Sequence, residues 1–505
     1  MQPVYLAETI RTAEEPLLTA LPGVLMQRAA AGLAAAILAE LRRLRTRGAY
    51  GARVLLVVGS GNNGGDALYA GVRLLGRGVR VRAWRTGSSV HDAAWTAFLA
   101  AGGSEVDALG ALGELALSDL VVDGVLGIGG RPGLREPVAL FARACADAGV
   151  PVVAVDLPSG LDADSCSAEI PASAGMTGEG GTAGLAVIPA HAGISTSGAS
   201  HFTADLTVTF GGLKPCHVLQ PAATACGRVQ LVDIGLDLPG PDLQQWELAD
   251  LAASWPFPDA TSDKYSRGVV GLDTGSDDYP GAAVLGTLGA VHAGAGMVRY
   301  LGPERAADLI RVEAPNVVFG AGRVQARVLG SGWGERPDGA TTITDALAED
   351  VPLLLDADAL RFLPDHPLGE RVLLTPHAGE LARLLEIERT SVEADPIDAV
   401  RRAAQRFGAV VLLKGATQYV CGPDGEIRLA VPGPAWTAQA GSGDVLAGVC
   451  GALLAAGLDA RAAALAGASV QALAAAAHPG PWPPQIVASQ ISSTVEEIPQ
   501  NCATC

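Results

Sequence analysis

The sequence lacks the marks of a nucleic-acid or membrane protein. Its 35 Lys and Arg residues stand against 53 Asp and Glu, a net charge of -18, which argues against a phosphate backbone or an anionic membrane as partner. The longest uncharged apolar stretches, 445–458 and 462–477, fall short of the roughly 20 residues of a spanning helix. The first residues have no basic segment followed by an apolar core, so we expect a cytoplasmic protein.

Cysteine and charge are also sparse. The only close cysteine pair, Cys502 and Cys505, has no second pair to complete a zinc site. Charged residues make up 17% of the chain and apolar residues 49%, which excludes a disordered chain. The 64 Gly and 32 Pro predict many tight loops, and 505 residues predict two or three domains. A loop-rich globular enzyme is therefore expected.

Two stretches alternate short β-branched runs with Ala- and Leu-rich segments, the first from Arg53 to Asp233 and the second from near Lys264. This alternation predicts mostly parallel sheets with helices on both faces. The fold class is thus α/β, with two αβα sandwich domains. We expect an N-terminal domain over 1–240, a Pro- and Asp-rich linker over 241–260, a C-terminal domain over 261–499 and a tail over 500–505.

Residues 168–200 fit neither pattern. They are rich in Gly, Ala, Ser, Thr and Pro, and carry the near-duplicates IPASAGMT and IPAHAGIS. A long segment without helix or strand periodicity inside a domain is typical of a surface insertion. A mobile surface loop is the expected interpretation, and a functional lid is the alternative.

Polar side chains follow three predicted strands of the N-terminal half. The string VVGSGNNGGDA (57–67) turns from a strand into a helix, where backbone N–H groups can meet an anion. Two later strands end in Asp123 and Asp156, and Ser159 follows the second. Since parallel strands end at one edge of a sheet, these groups should line one crevice. Oxygen ligands of this kind suit a hard cation; simple capping of the following helices is the alternative for both Asp residues.

Together, VGSGNNGGDA, DGVLGIGG and AVDLPSGLDAD resemble the NAD(P)H-hydrate epimerase family, over about residues 5–238. The resemblance implies a Rossmann-like domain with Asp156 as the catalytic acid or base. It also implies a potassium ion held by Asn63, Asp123 and Ser159. Ala67 and Cys216 stand where the family commonly has Gly. The implied substrate contacts are Asn62, Asn63, Gly64, Gly65, Asp66, Gly127, Ile128, Gly129, Gly130, Arg131, Pro132 and Gly133.

The C-terminal half places GSGD (441–444) ahead of a long Ala- and Leu-rich helix. Small residues let a helix N-terminus approach a phosphate, and Asp444 can take a proton from a hydroxyl. An ordinary helix cap is the alternative. Further polar groups follow other predicted strands, which favours a nucleotide crevice at the strand ends. These are Asp356, Asp358, His377, Glu380 and Lys414.

The strings LGSGWGE, DADAL, TPHAGE, LKGAT and AGSGDVLAG, in this order within about residues 260–499, resemble the ADP- or ATP-dependent NAD(P)H-hydrate dehydratase family. The resemblance implies a ribokinase-like domain in which Asp444 is catalytic and Gly332 and His377 contact the hydrate. The string PGPAWTAQ (432–439) departs from the family, which usually has a GNxGMA-type string. The implied nucleotide contacts are Lys414, Gly415, Ala416, Thr417, Gln418, Gly441, Ser442 and Gly443.

The two resemblances imply one repair reaction. A reduced nicotinamide that has added water carries a C6 hydroxyl and cannot deliver hydride. Phosphorylation of that hydroxyl from ADP or ATP, with Mg²⁺, lets phosphate leave, and an epimerase supplies the C6 epimer that the elimination accepts. We expect hydrated NADH and NADPH as substrates, ADP as the favoured nucleotide, and a homo-oligomer. The alternatives are a ribokinase-like small-molecule kinase and a non-catalytic N-terminal scaffold domain.

Overall fold

The computed structural model describes residues 1–166 and 201–499. They form two compact units, one within Val4–Asp242 and one that begins at Leu243 and includes Met1–Pro3. The expected linker over 241–260 holds a short strand and a short helix, and its Trp246 and Leu251 side chains are buried. The bounds of this linker stay a prediction. Its Pro and Asp residues concealed these two short elements. The expected insertion over 168–200 and the tail lie outside the described residues.

The N-terminal unit is built on seven strands. The chain begins with β1 (Gln2–Val4), most of which belongs to the other unit. The helices and strands of the N-terminal unit are, in chain order, α1 (Ala7–Ala20), α2 (Val24–Leu44), β2 (Arg53–Val58), α3 (Asn62–Leu75), β3 (Arg80–Arg85), α4 (Asp92–Ala100), β4 (Ser104–Val106), α5 (Ala108–Leu115), β5 (Leu120–Gly124), α6 (Val138–Ala148), β6 (Val152–Val155), β7 (Leu206–Phe210), α7 (Pro215–Val218), α8 (Ala222–Cys226) and β8 (Arg228–Val232). The sheet order is β4-β3-β2-β5-β6-β7-β8, and β1 joins the second sheet.

All neighbours in this seven-stranded sheet are parallel. Alternate residues of β2 face opposite layers: Leu56 packs in a core with α2, α3 and α4, and Leu55 packs in a core with α5 and α6. Burial on both faces explains why these strands are continuous apolar runs. The predicted α/β class is confirmed.

The C-terminal unit contains the second sheet. Its elements are β9 (Leu243–Gln245), α9 (Leu248–Ser254), β10 (Val269–Asp273), α10 (Pro280–His292), β11 (Met297–Tyr300), α11 (Glu304–Glu313), β12 (Val318–Phe319), β13 (Ala326–Leu329), α12 (Gly339–Ala348), β14 (Leu353–Leu355), a 3-10 helix (Ala357–Phe362), β15 (Val372–Leu374), α13 (Ala378–Leu385), α14 (Arg389–Ala394), α15 (Pro396–Phe407), β16 (Val410–Leu413), β17 (Tyr419–Cys421), β18 (Ile427–Leu429), a 3-10 turn (Ala435–Thr437), α16 (Ser442–Ala455), α17 (Ala460–Ala477) and α18 (Pro484–Glu497).

The sheet order here is β1-β9-β18-β17-β16-β15-β14-β13-β10-β11-β12. From β16 to β12 neighbouring strands are parallel, while β17 is antiparallel to both β16 and β18. Helices α10, α16, α17 and α18 share the largest core. The parallel part puts its strand ends, with Asp273, Asp356 and Lys414, along one edge of the sheet.

Two helices, α2 and α17, are long and apolar enough to cross a membrane. Both contribute to protein cores: Leu33 and Ile37 of α2 are fully buried, and so are Leu465 and Val470 of α17. Core helices of globular domains meet the same length and hydropathy test.

Candidate active sites

Asp156 follows β6 in a left-handed backbone conformation, with a φ of 68°. A non-glycine residue in this region stores strain, which is typical of functional positions. Its N–H donates to the Val208 carbonyl at 2.8 Å, so β7 fixes the strained residue. The carboxyl Oδ1 accepts hydrogen bonds from Thr209 Oγ1 (3.0 Å) and Lys214 Nζ (2.5 Å). Among the described residues, nothing donates to Oδ2, which leaves that oxygen for a substrate.

Lys214 forms a buried ion pair with Asp156. The sequence motifs did not point to this lysine. It is 1% exposed, and its ammonium donates to Asp156, to Thr209 Oγ1 (2.8 Å) and to the Phe210 carbonyl (3.1 Å). An ammonium has three N–H donors, so all are used. The Lys214 N–H donates to His217 Nδ1 (3.0 Å), which places the proton of a neutral imidazole on Nε2, 2.9 Å from the Asp156 carbonyl oxygen.

A signal for Lys214 was present in the composition. The chain has only three lysines, at 214, 264 and 414, although Lys and Arg together number 35. Almost all of the positively charged side chains are therefore Arg, which makes each lysine an exception. Two of the three lysines pair with buried carboxylates at the candidate sites.

Three carboxyl groups of the N-terminal site differ in proton affinity. Burial raises the pKa of Asp156, but the Lys214 ammonium outweighs burial and holds that pKa below its usual range. Burial raises the pKa of Asp66 well above its usual range, and the charges of Asp156 and Glu14 add to the effect. Burial likewise raises the pKa of Glu14 on α1. Asp156 is thus the ionised member of the group.

The three residues predicted to hold potassium come together around Leu126. Asn63 Nδ2 donates to the Leu126 carbonyl (3.0 Å), and Ser159 Oγ accepts from the Leu126 N–H (2.8 Å). Asp123 accepts from the N–H (2.7 Å) and the hydroxyl (2.6 Å) of Ser159. Burial raises the pKa of Asp123 to about 6. The atoms that these residues can offer to a cation are the oxygens of a carboxylate, a hydroxyl, a side-chain amide and the backbone. Such a set of ligands fits a hard cation.

The predicted substrate residues divide by exposure. Asn62 and the loop from Gly127 to Gly133 reach solvent, and the Gly130 N–H donates to the Gly127 carbonyl (2.7 Å) in a tight turn. Gly64 and Gly65 are buried in the first turn of α3. A Cβ on Gly64 would lie 2.2 Å from the Gly59 carbonyl oxygen, so this position requires glycine for close packing. Substrate contact for these residues stays a prediction.

In the C-terminal unit, a cavity of about 1090 Å³ opens beside the N-terminus of α16. It brings together predicted residues of two separate motifs: Gly332 of LGSGWGE, and Gly441 and Asp444 of GSGD. Gly441 has a φ of 90° and turns the chain into α16, whose first N–H groups have no partner within the helix. An anion-binding helix end and a carboxylate therefore share one cavity.

Asp444 lies behind this opening with a pKa that burial raises to about 6; the nearby Asp356 charge adds to that rise and Lys414 opposes it. Lys414 does not pair with Asp444. Its Nζ donates to Asp356 Oδ1 (2.6 Å), which also accepts from Thr375 Oγ1 (2.8 Å). Asp356 Oδ2 accepts from Ser331 Oγ (2.8 Å). A Cβ on Gly443 would lie 3.3 Å from Lys414 Nζ, so glycine leaves room for this lysine.

Other predicted residues of this half lie away from the cavity lining. His377 caps α13, because its Nδ1 accepts from the N–H groups of Gly379 (3.0 Å) and Glu380 (3.3 Å). Ser442 accepts from Gln471 Nε2 through its carbonyl oxygen (2.8 Å). The predicted nucleotide residues Gly415, Ala416, Thr417 and Gln418 form the loop between β16 and β17. The roles proposed for these residues stay predictions.

Sequence reasoning missed much of the cavity wall. The loop from Ser276 to Tyr279, together with Trp333 and Arg361, lines the cavity. Arg336 stacks on Trp333, with its guanidinium carbon 4.2 Å from the ring centre, and pairs with Asp273 (2.5 Å). The string DTGSDDYPG after β10 carried a signal, since its polar residues follow a buried strand.

Fold and sites together define a two-domain α/β enzyme. Its N-terminal half has a buried carboxylate at a strand end, and its C-terminal half has a half-buried carboxylate at a helix start. Residues 22–216 match the family described as YjeF-related protein N-terminus, and residues 270–496 match the NAD(P)H-hydrate dehydratase family. The bifunctional NAD(P)H-hydrate repair enzyme of Mycobacterium leprae is 44% identical over 98% of both chains. That of Mycobacterium tuberculosis is 45% identical over 92% of this chain and 91% of its own.

A solved structure, the ADP/ATP-dependent NAD(P)H-hydrate dehydratase of Bacillus subtilis co-crystallised with ATP and Mg²⁺, covers 51% of this chain and 99% of its own at 24% identity and a TM-score of 0.48. The chain belongs to the family of bifunctional NAD(P)H-hydrate repair enzymes. The resemblances stated for its two halves are confirmed.

Proposed function

We propose that the chain epimerises the R and S hydrates of NADH and NADPH in its N-terminal domain and dehydrates the S epimer at the expense of ADP or ATP in its C-terminal domain. The observation that carries this proposal is the presence of two separate carboxylates, the buried Asp156 and the half-buried Asp444, each beside a glycine-rich helix start. Near-full-length identity to repair enzymes favours it over a small-molecule kinase with a non-catalytic N-terminal scaffold.

In the N-terminal domain, Asp156 acts as the base. Its Oδ1 is held by Lys214 and Thr209 and its backbone by β7, so the free Oδ2 keeps one orientation. A fixed carboxylate can remove the C6 hydroxyl proton without reorganising. Asn62 and the loop from Gly127 to Gly133 would contact the hydrated dinucleotide.

The oxygen groups of Asn63, Asp123 and Ser159 would hold a potassium ion. The ion would supply fixed positive charge for the dinucleotide phosphates and for buried Asp123, which has no cationic side chain among its hydrogen-bond partners. The same three residues position the loop around Leu126 through their hydrogen bonds.

In the C-terminal domain, Asp444 would take the proton of the substrate hydroxyl as that oxygen attacks the terminal phosphoryl group. The N–H groups of Gly441 and Gly443 would hold the phosphoryl charge. The Ser442 N–H, which donates to the Gln439 carbonyl (3.3 Å), would join them only after leaving that partner. Phosphate then leaves C6 as the ring nitrogen donates its electron pair, which gives a C6–N1 iminium. Loss of a C5 proton, which the departing phosphate can accept, then restores the 5,6 double bond and returns the electron pair to N1. Mg²⁺ bound with the nucleotide would neutralise its phosphates. Lys414 and the loop from Gly415 to Gln418 would lie on the nucleotide side.

One incubation tests both halves. The full chain is mixed with a separated R or S hydrate of NADH, potassium and either ADP or ATP, and the recovery of NADH absorbance and both epimers are followed. We expect S to be consumed directly and R to be consumed only after conversion to S. A stable phosphorylated product from a non-nucleotide alcohol, with no NADH recovery, would favour the kinase instead. The cytoplasmic location and the homo-oligomer remain expectations from the sequence.

A further inference from the structure

Asp66 is a buried carboxyl group of the N-terminal site that the structure leaves unpaired. It follows Asn63 by one turn of α3, and Asn63 Nδ2 donates to the carbonyl of Val155, the residue before Asp156, at 3.0 Å. Residues three apart share a helix face, so Asp66 lies on the side of α3 that meets the end of β6. It is 8% exposed, and within the described chain its Oδ1 has no hydrogen-bond partner.

The surroundings of Asp66 favour its neutral form. A buried carboxylate without a hydrogen bond is costly, so such a group keeps its proton. The charged groups that act on it, Asp156 and Glu14, are acidic and add to burial in raising its pKa. The Lys214 ammonium donates to Asp156, and the positive charge of Arg11 lowers the pKa of Glu14. His217 faces the Asp156 carbonyl oxygen and the Lys214 N–H through its two ring nitrogens.

We propose that Asp66 is the general acid of the epimerase site and works opposite Asp156, the base. This inference rests on the proposed epimerase function and adds a second reacting group to it. Two carboxyl groups at one site in opposite protonation states are the arrangement that acid–base catalysis needs near neutral pH. The unsatisfied Oδ1 of Asp66 gains a partner only when a substrate arrives.

The reaction balances with these two groups alone. Asp156 takes the C6 hydroxyl proton as the C6–N1 bond breaks; C6 becomes an aldehyde carbon, and the electron pair of the broken bond stays on N1. Asp66 gives its proton to N1. After rotation about the C5–C6 bond, N1 attacks the other face of the aldehyde and returns its proton to Asp66, while the oxygen recovers its proton from Asp156. Both carboxyl groups finish in their starting states.

The test uses the full-length chain with three substitutions: Asp66→Asn, which cannot donate an acidic proton; Asp66→Glu, which can; and Glu15→Gln, which removes an exposed carboxyl group of α1. Conversion of R to S hydrate is measured, and nucleotide-dependent dehydration of S in the same chain reports intact protein. We expect Asp66→Asn to slow epimerisation by about 100-fold or more, Asp66→Glu to restore part of the rate, and Glu15→Gln to leave it nearly unchanged.

A readout without turnover accompanies these rates. The infrared carbonyl band of protonated carboxylic acids is followed as the pH is raised, because Asp66 should keep its proton to a higher pH than an exposed carboxyl group does. The part of this band that persists to the highest pH in the unmodified chain should be reduced in Asp66→Asn. Wild-type epimerisation in Asp66→Asn, an equal loss in Glu15→Gln, or the same band in the unmodified chain and in Asp66→Asn would overturn the assignment of Asp66. Failure of the unmodified chain to epimerise R would instead refute the proposed function itself.

Discussion

The two domains place their proposed catalytic carboxylates in opposite electrostatic surroundings. In the N-terminal domain the lysine pairs with the proposed base itself: Lys214 Nζ lies 2.5 Å from Asp156 Oδ1. In the C-terminal domain Lys414 pairs with the neighbouring Asp356 at 2.6 Å, and Asp444 is left without a cation of its own. As a result the pKa of Asp156 lies below its usual range, whereas that of Asp444 is raised to about 6.

The difference matches the two proposed reactions. Epimerisation has to shuttle protons between two carboxyl groups, and a permanently ionised base needs a second group to carry the acid proton. Phosphoryl transfer needs a base whose pKa lies close to the working pH, so that it can accept the hydroxyl proton efficiently. An unpaired Asp444 meets that need, and a lysine directly upon it would lower its basicity.

The largest expected effect is on the dehydratase half. Asp444→Asn keeps the shape of the side chain but removes the base, so nucleotide-dependent recovery of NADH from the S hydrate should fall by about 10²–10⁴-fold. Absorbance recovery measures this rate. The exchange of R and S in the same protein is the control and should persist, because Asp156 is untouched; a parallel loss of exchange would show that the two carboxylates are not independent.

Lys214→Met should destabilise the N-terminal domain. The substitution leaves the Asp156 carboxylate buried without its cation, and breaking a buried pair costs about 3–5 kcal/mol. Chemical denaturation measures the loss. The matched control is Lys264→Met, the one exposed lysine of the three, which should be close to neutral. If both variants unfold at the same denaturant concentration, the Lys214–Asp156 pair does not stabilise the domain.

The parallel sheets and most of the carboxylates of the candidate sites could be predicted from the sequence, because both leave local sequence patterns. Apolar β-branched runs mark buried strands, and an Asp at the end of such a run is visible without a structure. What the sequence did not reveal depends on long-range pairing. Lys214 reaches Asp156 across 58 positions, and the antiparallel strands β17 and β18 have three residues each, too few for a clear period of two.

The two activities should separate in their pH dependence. A base works only when deprotonated, so the dehydratase rate should fall as the pH drops through about 6, the pKa of Asp444, and lose about tenfold between pH 7 and 5. The pKa of Asp156 lies below the usual carboxyl range, so epimerisation should lose no comparable activity over that interval. Initial rates on separated epimers measure both profiles. If both rates fell over the same pH range, the two bases would have equal pKa values.

The smallest expected effect is a change in the free energy of unfolding, whose sign should differ between Asp444→Asn and Asp156→Asn. Asp444 has a folded-state pKa raised to about 6 from 3.8, so its ionisation opposes folding, and this cost grows as the pH rises from about 4 to 6. At pH 7, Asn in its place should stabilise the chain by about 1–2 kcal/mol.

Asp156 should respond in the opposite direction, because its ionised form is the one that the fold favours. Asp156→Asn leaves the Lys214 ammonium buried without its anion and should therefore destabilise the chain. Thermal denaturation of the two Asn variants compares them directly. Since the gain at Asp444 comes from ionisation alone, it should shrink as the pH falls below about 6 and be lost by about pH 4. A gain independent of pH would mean that packing, and not charge, sets the stability at the start of α16.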